Sequence, residues 1–210
     1  VVDTDPGNDD ALAIMMATAH TDTEIHAITT VSGNVGLEQT SKNACKLVEF
    51  LGLGVPVYEG CAEPLLGSPL EDATGFHGTD GFGDAGIPPA SVKPNAGHAS
   101  LAICSIADKH SGDVELVALG PLTNIAVALM LDPDLPKKYA HLTIMGGAIR
   151  AQGNTANYTA EYNFYRDPYA AEIVLSRWPM VTLVDWETTL AYPLSTNDLA
   201  RIFAAQSRRA

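Results

Sequence analysis

The chain opens with Val1-Val2-Asp3-Thr4-Asp5-Pro6-Gly7-Asn8-Asp9-Asp10, which combines an apolar start, four aspartates and a Pro-Gly pair. Two β-branched apolar residues lead into it, Pro6-Gly7 interrupts it, and the helix-forming run 11–17 follows. This order predicts a buried strand, a tight turn and the start of a helix. The aspartates then crowd the carboxyl end of a strand, which is where α/β sheets place their ligand sites.

The four aspartates of this stretch, Asp3, Asp5, Asp9 and Asp10, repel one another, and the first Lys or Arg of the chain is Lys42. A divalent cation would neutralise such a cluster, and hard oxygen ligands favour calcium or magnesium over zinc or copper. The competing interpretation is helix capping, which suits acidic residues at a helix start. Capping needs one carboxylate rather than four, so the sequence favours a cation site.

Beyond this stretch the chain alternates between strand-forming and helix-forming segments. Strands are predicted at residues 24–31, 55–60, 114–119, 141–145 and 181–184, and helices at residues 37–53, 100–110 and 167–178 and from Asn197 onward. Because helices separate successive strands, the strands should run parallel. The sequence therefore predicts one α/β domain over residues 1–210, a Rossmann-like open sheet that is mainly parallel with helices on both faces.

Composition limits the class of protein and its partners. The 210 residues are 46% hydrophobic and 18% charged, as in ordinary soluble domains. The net charge of −13 argues against nucleic acid and anionic membranes as partners. Cys45, Cys61 and Cys104 are odd in number and scattered, so a reducing compartment, the cytoplasm, is expected. No apolar run reaches the roughly 18 residues of a membrane span.

Two loops carry further candidate residues. Asn34 follows the second predicted strand, and from the residues alone it is a turn asparagine. The segment Glu71–Pro89 is so rich in glycine that we expect no regular structure there, but a mobile loop that could act as a lid. His77 is then a solvent-exposed loop histidine unless it serves a ligand. Asp80 and Asp84 are interpreted as solvated turn residues.

Four motifs resemble those of a known family. DTDPGNDDA at residues 3–11 is similar to the N-terminal fingerprint of the nucleoside hydrolases, which cleave the N-glycosidic bond of ribonucleosides. TTVSGN at 29–34, GPLTNIA at 120–126 and AEYNFYRDP at 160–168 are similar to further motifs of that family. The resemblance implies the nucleoside hydrolase fold. It also implies hydrolysis of ribonucleosides to ribose and a free purine or pyrimidine base, as in nucleoside salvage.

The resemblance also assigns the metal and the catalytic groups. It implies a calcium ion held by Asp5, Asp10 and the backbone carbonyl of Leu119. Calcium would orient a water and the ribose diol, with Asp5 as the general base. Asp3 would support this site from behind. Asn34 would contact the ribose and help to position the reacting centre.

The remaining assignments concern the substrate. The resemblance implies that Asp9, Glu161 and Asn163 hydrogen-bond ribose hydroxyls, and that His77 approaches the base. An upstream asparagine of the family does likewise for the ribose. It corresponds to Asn154 by its Gly-Asn pair, although the loop is one residue longer and Asn157 competes for the role.

The residues alone give plainer interpretations at several of these positions. Thr123 and Asn124 read as helix caps, and Glu161 as a solvated loop acid. Asp167 reads as a cap before Pro168. Trp186 is interpreted as a core residue, and the alternative is that it lines a base pocket.

The resemblance implies a longer domain than the chain supplies. Its C-terminal part would contribute an aspartate to the calcium site and a histidine facing the leaving base, and nothing after Trp186 matches that pair. We therefore expect the C-terminal part of the family domain to be absent here, and the protein to be a homo-oligomer, dimer or tetramer. Two alternatives remain: a non-catalytic module that binds nucleoside or ribose, and an aspartate-based phosphohydrolase, for which D-x-D after a strand is also expected.

Overall fold

The computed structural model describes residues 1–67 and 73–205. Within them, six strands form one sheet in the order β3-β2-β1-β4-β5-β6, and every paired strand runs parallel to its neighbour. The strands are β1 (Val2–Thr4), β2 (Ile28–Thr30), β3 (Val57–Glu59), β4 (Glu115–Ala118), β5 (His141–Met145) and β6 (Thr182–Val184). The helices are α1 (Asn8–Ala19), α2 (Leu37–Leu51), α3 (Thr74–His77), α4 (Ala99–Lys109), α5 (Thr123–Leu131), α6 (Leu135–Lys138), α7 (Tyr162–Arg166), α8 (Pro168–Arg177), α9 (Trp186–Ala191) and α10 (Thr196–Ala204). The α/β prediction is confirmed.

Strand β1 lies in the middle of the sheet, where the strand order reverses. Its residue Asp3 pairs with Thr29 of β2 on one side and with Ala118 of β4 on the other. The chain after β1 and the chain after β4 therefore leave the sheet side by side. A crevice outside the carboxyl ends of such strands is the usual ligand site of an open α/β sheet. Asp5 and Leu119 both lie at this point.

Helices cover the sheet from both faces. Val1 and Val2 belong to two different hydrophobic cores, and successive residues of a strand point to opposite faces. The larger core contains buried residues of α4, α5, α6 and α8, such as Leu129 and Val174. The smaller core contains residues of α1 and α2, such as Ile14. The predicted helices on both faces are confirmed.

The glycine-rich segment contains more structure than predicted. Its residues 71 and 72 lie outside the described residues, but Thr74–His77 forms one helical turn, α3, which contradicts the expectation of no regular structure. Phe82 packs into the smaller core and is 7% exposed. Apolar burial and a turn of helix thus outweigh the conformational freedom of the surrounding glycines.

The two tryptophans differ in their burial. Trp186 begins α9 and is half-buried, so its predicted place in the core was wrong, whereas Trp178 is buried.

The free cysteines are Cys45, Cys61 and Cys104. Among the residues the structure describes, no helix combines the length and the apolar character needed to cross a bilayer.

Candidate functional site

Asp5 lies at the centre of the candidate site, directly after β1. Its carboxylate is buried, and Oδ2 accepts the main-chain N–H of Asn34 at 2.6 Å. The Asn34 side chain donates from Nδ2 to the main-chain oxygen of Asp5 at 3.1 Å. Oδ1 of Asp5 is buried and has no hydrogen-bond partner among the described residues. A buried carboxylate oxygen is costly to leave unpaired, so this atom indicates a ligand or a proton.

Two glycines make room for the Asp5 carboxylate. A Cβ atom on Gly33 would overlap Oδ2 of Asp5, and a Cβ atom on Gly120 would overlap Oδ1. The loops after β2 and β4 therefore close on Asp5 from two sides with bare backbone. Any larger residue at either position would displace the carboxylate or the loop.

Asp10 completes the buried pair of carboxylates. Its Oδ1 accepts the hydroxyl of Thr4 at 2.6 Å, and its Oδ2 accepts the main-chain N–H of Gly7 at 3.0 Å. Asn34 Nδ2 also donates to Asp10 Oδ2 at 3.3 Å. The capping interpretation thus holds for Asp10, which closes the first turn of α1. Asn34 joins Asp10 to Asp5, so the capping carboxylate also belongs to the site.

Burial without a neutralising partner raises the pKa values of these aspartates. The pKa of Asp5 lies well above its usual value, first because of burial and then because of Asp10. Burial, followed by the charge of Asp9, raises the pKa of Asp10 to about 6. Burial raises the pKa of Asp3 to about 7, although hydrogen bonds from its neighbours oppose the shift. A cation bound here would reverse these shifts.

We predict from these shifts that the chelator-treated protein loses stability as pH rises from about 4 to 7. The folded state holds a proton on Asp3 more tightly than the unfolded chain does. The stabilising contribution of that proton is therefore complete below the unfolded pKa and is lost as pH rises towards the folded pKa. For Asp3 the loss is on the order of a few kcal/mol.

Urea unfolding at pH 5 and pH 8, with chelator present, measures this dependence. Asp3→Asn should reduce the difference between the two pH values, and Asp113→Asn, at an exposed turn, should not. An equal pH dependence in Asp3→Asn and the unmodified protein would contradict the prediction.

The predicted calcium ligands form an all-oxygen set. Asp5 and Asp10 are joined through Asn34, and Leu119 directly precedes the glycine that abuts Asp5 Oδ1. Among the described residues, no group of three or more His, Cys, Asp or Glu side chains is arranged to hold a metal. Two carboxylates and a backbone carbonyl nevertheless fit a hard divalent cation whose remaining ligands come from water or substrate. The unpaired Asp5 Oδ1 supports that fit.

His77 is brought to the aspartate turn from the glycine-rich loop. Its Nδ1 lies 3.5 Å from the main-chain N of Asn8 and 3.9 Å from Oδ1 of Asp9. A Cβ atom on Gly7 would lie 2.7 Å from the same nitrogen, so the imidazole lies against this turn. Asp9 is exposed beside it. The structure thus places His77 and Asp9 together at the rim of the site.

Glu161 and Asn163 reach the site from α7. Glu161 is buried and caps α7 by accepting the main-chain N–H groups of Asn163 and Phe164, and it also accepts that of Gly147. Its interpretation as a solvated loop acid was wrong, because its carboxylate is buried against the backbone of Gly147. Asn163 Nδ2 donates to the carbonyl of Leu119 at 2.8 Å, which puts Asn163 beside the proposed metal ligand.

The predicted ribose contact at Asn154 is the least connected of the set. Asn154 is exposed, and its main-chain N–H donates to Ala160 at 3.1 Å. Among the described residues, no hydrogen bond links its side chain to the aspartates. The Oδ1 atom of the competing residue Asn157 accepts the hydroxyl of Thr155 and the main-chain N–H groups of Thr159 and Ala160, all in the same loop. Asn157 therefore shapes the loop, which leaves Asn154 as the better candidate.

Asn124 is a residue whose part in the site the sequence did not reveal. It was predicted to cap α5, but no side chain caps that helix and Asn124 is fully buried. Its Nδ2 donates to Asp3 Oδ1 at 2.8 Å and to the carbonyl of Thr30 at 2.9 Å, and its Oδ1 accepts the N–H of Cys61. The missing Cβ of Gly60 leaves space for this amide. Asn124 therefore ties three strand ends together behind the aspartates.

Thr123 and Asp167 form a second such link. The Thr123 hydroxyl donates to Asp167 Oδ2 at 2.7 Å, so its predicted capping role was also wrong. Asp167 caps α8 through Ala170, as predicted, and also accepts the N–H of Leu65. One carboxylate thus joins α5, α8 and the loop after β3.

The whole chain is similar to one protein family, since residues 1–210 match the family described as inosine-uridine preferring nucleoside hydrolase. Uridine nucleosidase 1 of Arabidopsis thaliana is 39% identical over 203 residues, which are 96% of this chain and 60% of the plant protein. The solved plant nucleoside hydrolase PpNRh1 is 35% identical with a TM-score of 0.94, covering 99% of this chain and 65% of that one. A solved inosine-guanosine nucleoside hydrolase is 40% identical with a TM-score of 0.91, covering 98% and 67%. The chain thus spans about two thirds of the length of these relatives.

Proposed function

Because the chain belongs to the inosine-uridine preferring nucleoside hydrolase family, we propose that it hydrolyses the N-glycosidic bond of ribonucleosides. The products are ribose and a free purine or pyrimidine base. The observation that carries this proposal is the buried Asp5 carboxylate, whose Oδ1 is unpaired at the switch point of the sheet. The relatives named as uridine nucleosidase and inosine-guanosine nucleoside hydrolase support the reaction class.

The metal of this site is proposed to be calcium. Asp5, Asp10 and the carbonyl oxygen of Leu119 would hold it, and Asp3, which accepts a hydrogen bond from Asn124, would support the site from behind. When bound, the ion supplies positive charge that lowers the pKa of a water and orients the ribose diol. Asp5 is then the general base that removes the proton of the attacking water, since Oδ1 is its open acceptor.

A set of polar side chains is proposed to bind the ribose. Asp9, Asn34, Asn154, Glu161 and Asn163 are its members. Asn163 commits Nδ2 to the carbonyl of Leu119, so a ribose hydroxyl would donate to its Oδ1. Asn34, Glu161 and Asn163 are buried, and buried polar groups discriminate strongly against a ligand that leaves them unpaired. Cleavage would pass through an oxocarbenium-like sugar, which the neighbouring carboxylates stabilise.

The base is proposed to lie towards His77. This side chain is half-buried against Gly7 at the rim of the aspartate turn, which suits a contact with the part of the nucleoside that extends beyond the ribose. Asn34 donates to both Asp5 and Asp10, and its Nδ2 lies against the same Gly7 that the His77 ring contacts. We therefore assign Asn34 both to ribose binding and to positioning of the reacting centre.

The setting of the protein follows from composition and cysteine chemistry. We propose a cytoplasmic protein, because its three cysteines are free. We further propose a nucleoside as its partner rather than nucleic acid or a membrane, given a net charge of −13. We also propose that the protein forms a homo-oligomer, either a dimer or a tetramer. Analytical ultracentrifugation, which measures the mass of the protein in solution, tests this. We also propose that residues 1–210 belong to one α/β domain, since one sheet runs through the described residues.

The test of the proposed function is the release of two products. Uridine and inosine are incubated with the calcium-loaded protein in phosphate-free buffer, and ribose and base are quantified separately. Equal amounts of ribose and base support hydrolysis. A strict requirement for phosphate would indicate phosphorolysis and contradict it.

The same assay separates the two alternatives. Calorimetric binding of ribonucleoside without release of base would indicate a non-catalytic binding module. Release of phosphate from nucleotides, with a magnesium requirement, would indicate an aspartate-based phosphohydrolase. Each outcome would replace the hydrolase proposal.

We predict that residues 73–89 exchange amide hydrogens faster than β1 and β4 in the free protein, and that bound nucleoside slows this exchange. The reason is glycine density, which gives the backbone on either side of the buried Phe82 wide conformational freedom. Hydrogen exchange followed by mass spectrometry measures both states. Protection of this segment equal to that of β1 in the free protein would contradict the prediction.

A further inference from the structure

Asn43 of α2 joins the aspartate turn to the glycine-rich loop. Its side chain is fully buried, and Nδ2 donates to the carbonyl of Pro6 at 3.1 Å and to the carbonyl of Asp80 at 2.8 Å. Its Oδ1 accepts Nε2 of Gln39 at 3.0 Å. In the sequence, Pro6 lies between Asp5 and Asp10, the two carboxylates of the site, and Asp80 lies three residues after His77. One amide group therefore holds both segments.

The loop fits closely against this amide. Gly81 has a φ of +80°, and a Cβ atom there would lie 2.6 Å from Asn43 Nδ2 and 3.3 Å from the carbonyl of Pro6. Gln39 strengthens the attachment, since its Nε2 donates to the carbonyl of Asp80 at 3.2 Å. A residue with a side chain at position 81 would be strained and would push the loop off α2.

The loop contacts the site ahead of this attachment, and a hydrogen bond within the loop closes it around the attachment. The N–H of Ala73 donates to the carbonyl of Asn34 at 3.0 Å, and the N–H of Gly83 donates to the carbonyl of His77 at 2.7 Å. Between these points, the His77 ring lies against Gly7. The position of the histidine thus depends on where the 73–86 segment is held.

We propose that Asn43 is a positioning residue that holds the 73–86 segment on the aspartate turn and so sets His77 over Gly7. The carbonyls of Pro6 and Asp80 belong to irregular backbone, where no strand or helix supplies a donor. Carbonyls withdrawn from water need a donor. Asn43 supplies one to the buried Pro6 and to the half-buried Asp80, which Gln39 also contacts. The importance of the His77 position for base binding rests on the proposed function. The link that Asn43 makes between the two segments does not.

The variant Asn43→Asp tests the link most sharply. Aspartate has nearly the same shape, but it presents an oxygen instead of a donor to the two carbonyls. Gly81→Ala disturbs the same contact from the side of the loop, which protects the test if the buried variant does not fold. Asn95→Asp is the matched control, because Asn95 is exposed and uses Oδ1 to accept the N–H of Val57, which a carboxylate can also do.

Hydrogen exchange of residues 73–86 is the first readout. We expect exchange about tenfold faster or more in Asn43→Asp and in Gly81→Ala, as fits the loss of hydrogen bonds that hold a local segment. Exchange in β1 and β4 should stay within twofold of the unmodified protein, and Asn95→Asp should match it throughout. Loop exchange that is unchanged in both folded variants would overturn the proposal. So would an equal acceleration in every element, because Asn43 would then only stabilise the fold.

The nitrogen chemical shifts of the His77 ring are the second readout. In the held loop, Nδ1 faces the N–H of Asn8 as an acceptor, and release of the loop should move this signal towards that of an exposed histidine. A purely structural role for Asn43 would leave the signal unchanged in a folded variant, which would overturn the proposal. Neither readout needs turnover, so an inactive protein that shows both changes would refute the proposed function and support the role of Asn43.

Discussion

Replacing Asp10 by alanine is expected to abolish tight calcium binding. In the proposed calcium site, Asp10 supplies one of the two carboxylates, and it is buried between Thr4 and Asn34. The affinity of calcium sites follows the number of charged ligands, so loss of one of two carboxylates should weaken binding by about 10³-fold or more. Titration calorimetry on chelator-stripped protein measures the change.

Asp9→Ala is the matched control for this experiment. Asp9 precedes Asp10 in the same turn of α1 but is exposed, and it is assigned to the ribose. Its removal should leave calcium affinity within a few-fold while it weakens ribose binding. Undiminished calcium binding in Asp10→Ala would remove Asp10 from the metal site.

The second large effect concerns phosphate. A nucleoside 5′-monophosphate should be a far poorer substrate than the nucleoside, because the proposed site contains Asp3, Asp5, Asp9, Asp10 and Glu161 against one dication. Arg166 is the only Lys or Arg in the four motifs, and it follows the ribose-binding residues of the last one. Repulsion between close like charges costs about 1 kcal/mol in water and several at lower effective dielectric.

The sugar should be distinguished by its hydroxyl groups. Ribose hydroxyls donate to carboxylate acceptors, and a 2′-deoxynucleoside would leave one acceptor unpaired at a cost of about 1–3 kcal/mol. The expected order of kcat/KM is therefore ribonucleoside, then 2′-deoxynucleoside, then nucleoside monophosphate. The comparison uses one base throughout, such as uracil. Turnover of the monophosphate at an equal or higher rate would show that the carboxylates do not face the substrate as proposed.

Features that depend on near neighbours in the chain were predictable from the sequence. The strand, turn and helix around Asp5 follow from apolar residues, Pro6-Gly7 and helix formers within some twenty positions. Parallel pairing followed from the alternation of strands and helices. The Asp167 cap could be predicted because the cap and Pro168 are adjacent.

Features that depend on distant contacts were not predictable. Asn124 bonds Asp3 across 121 positions, and Asn43 bonds Pro6 across 37, so neither spacing leaves a local pattern. An asparagine near a helix start looks like a cap unless its tertiary partners are known. Glu161 was misjudged in part for the same reason, since it accepts the N–H of Gly147, which lies 14 positions away, as well as those of its near neighbours Asn163 and Phe164.

The central position of β1 has a consequence for synthesis on the ribosome. β1, β2 and β3 are complete by residue 59, but β4, the second neighbour of β1, begins only at Glu115. At ordinary translation rates the intervening residues take roughly 3–10 s to make. A three-stranded sheet formed in that time would expose β1 as an open edge. Asp3 lies on that edge and Asp5 follows it, and charged residues there discourage pairing with strands of other nascent chains. The proposed general base Asp5 and the supporting Asp3 would then also protect the unfinished protein from aggregation.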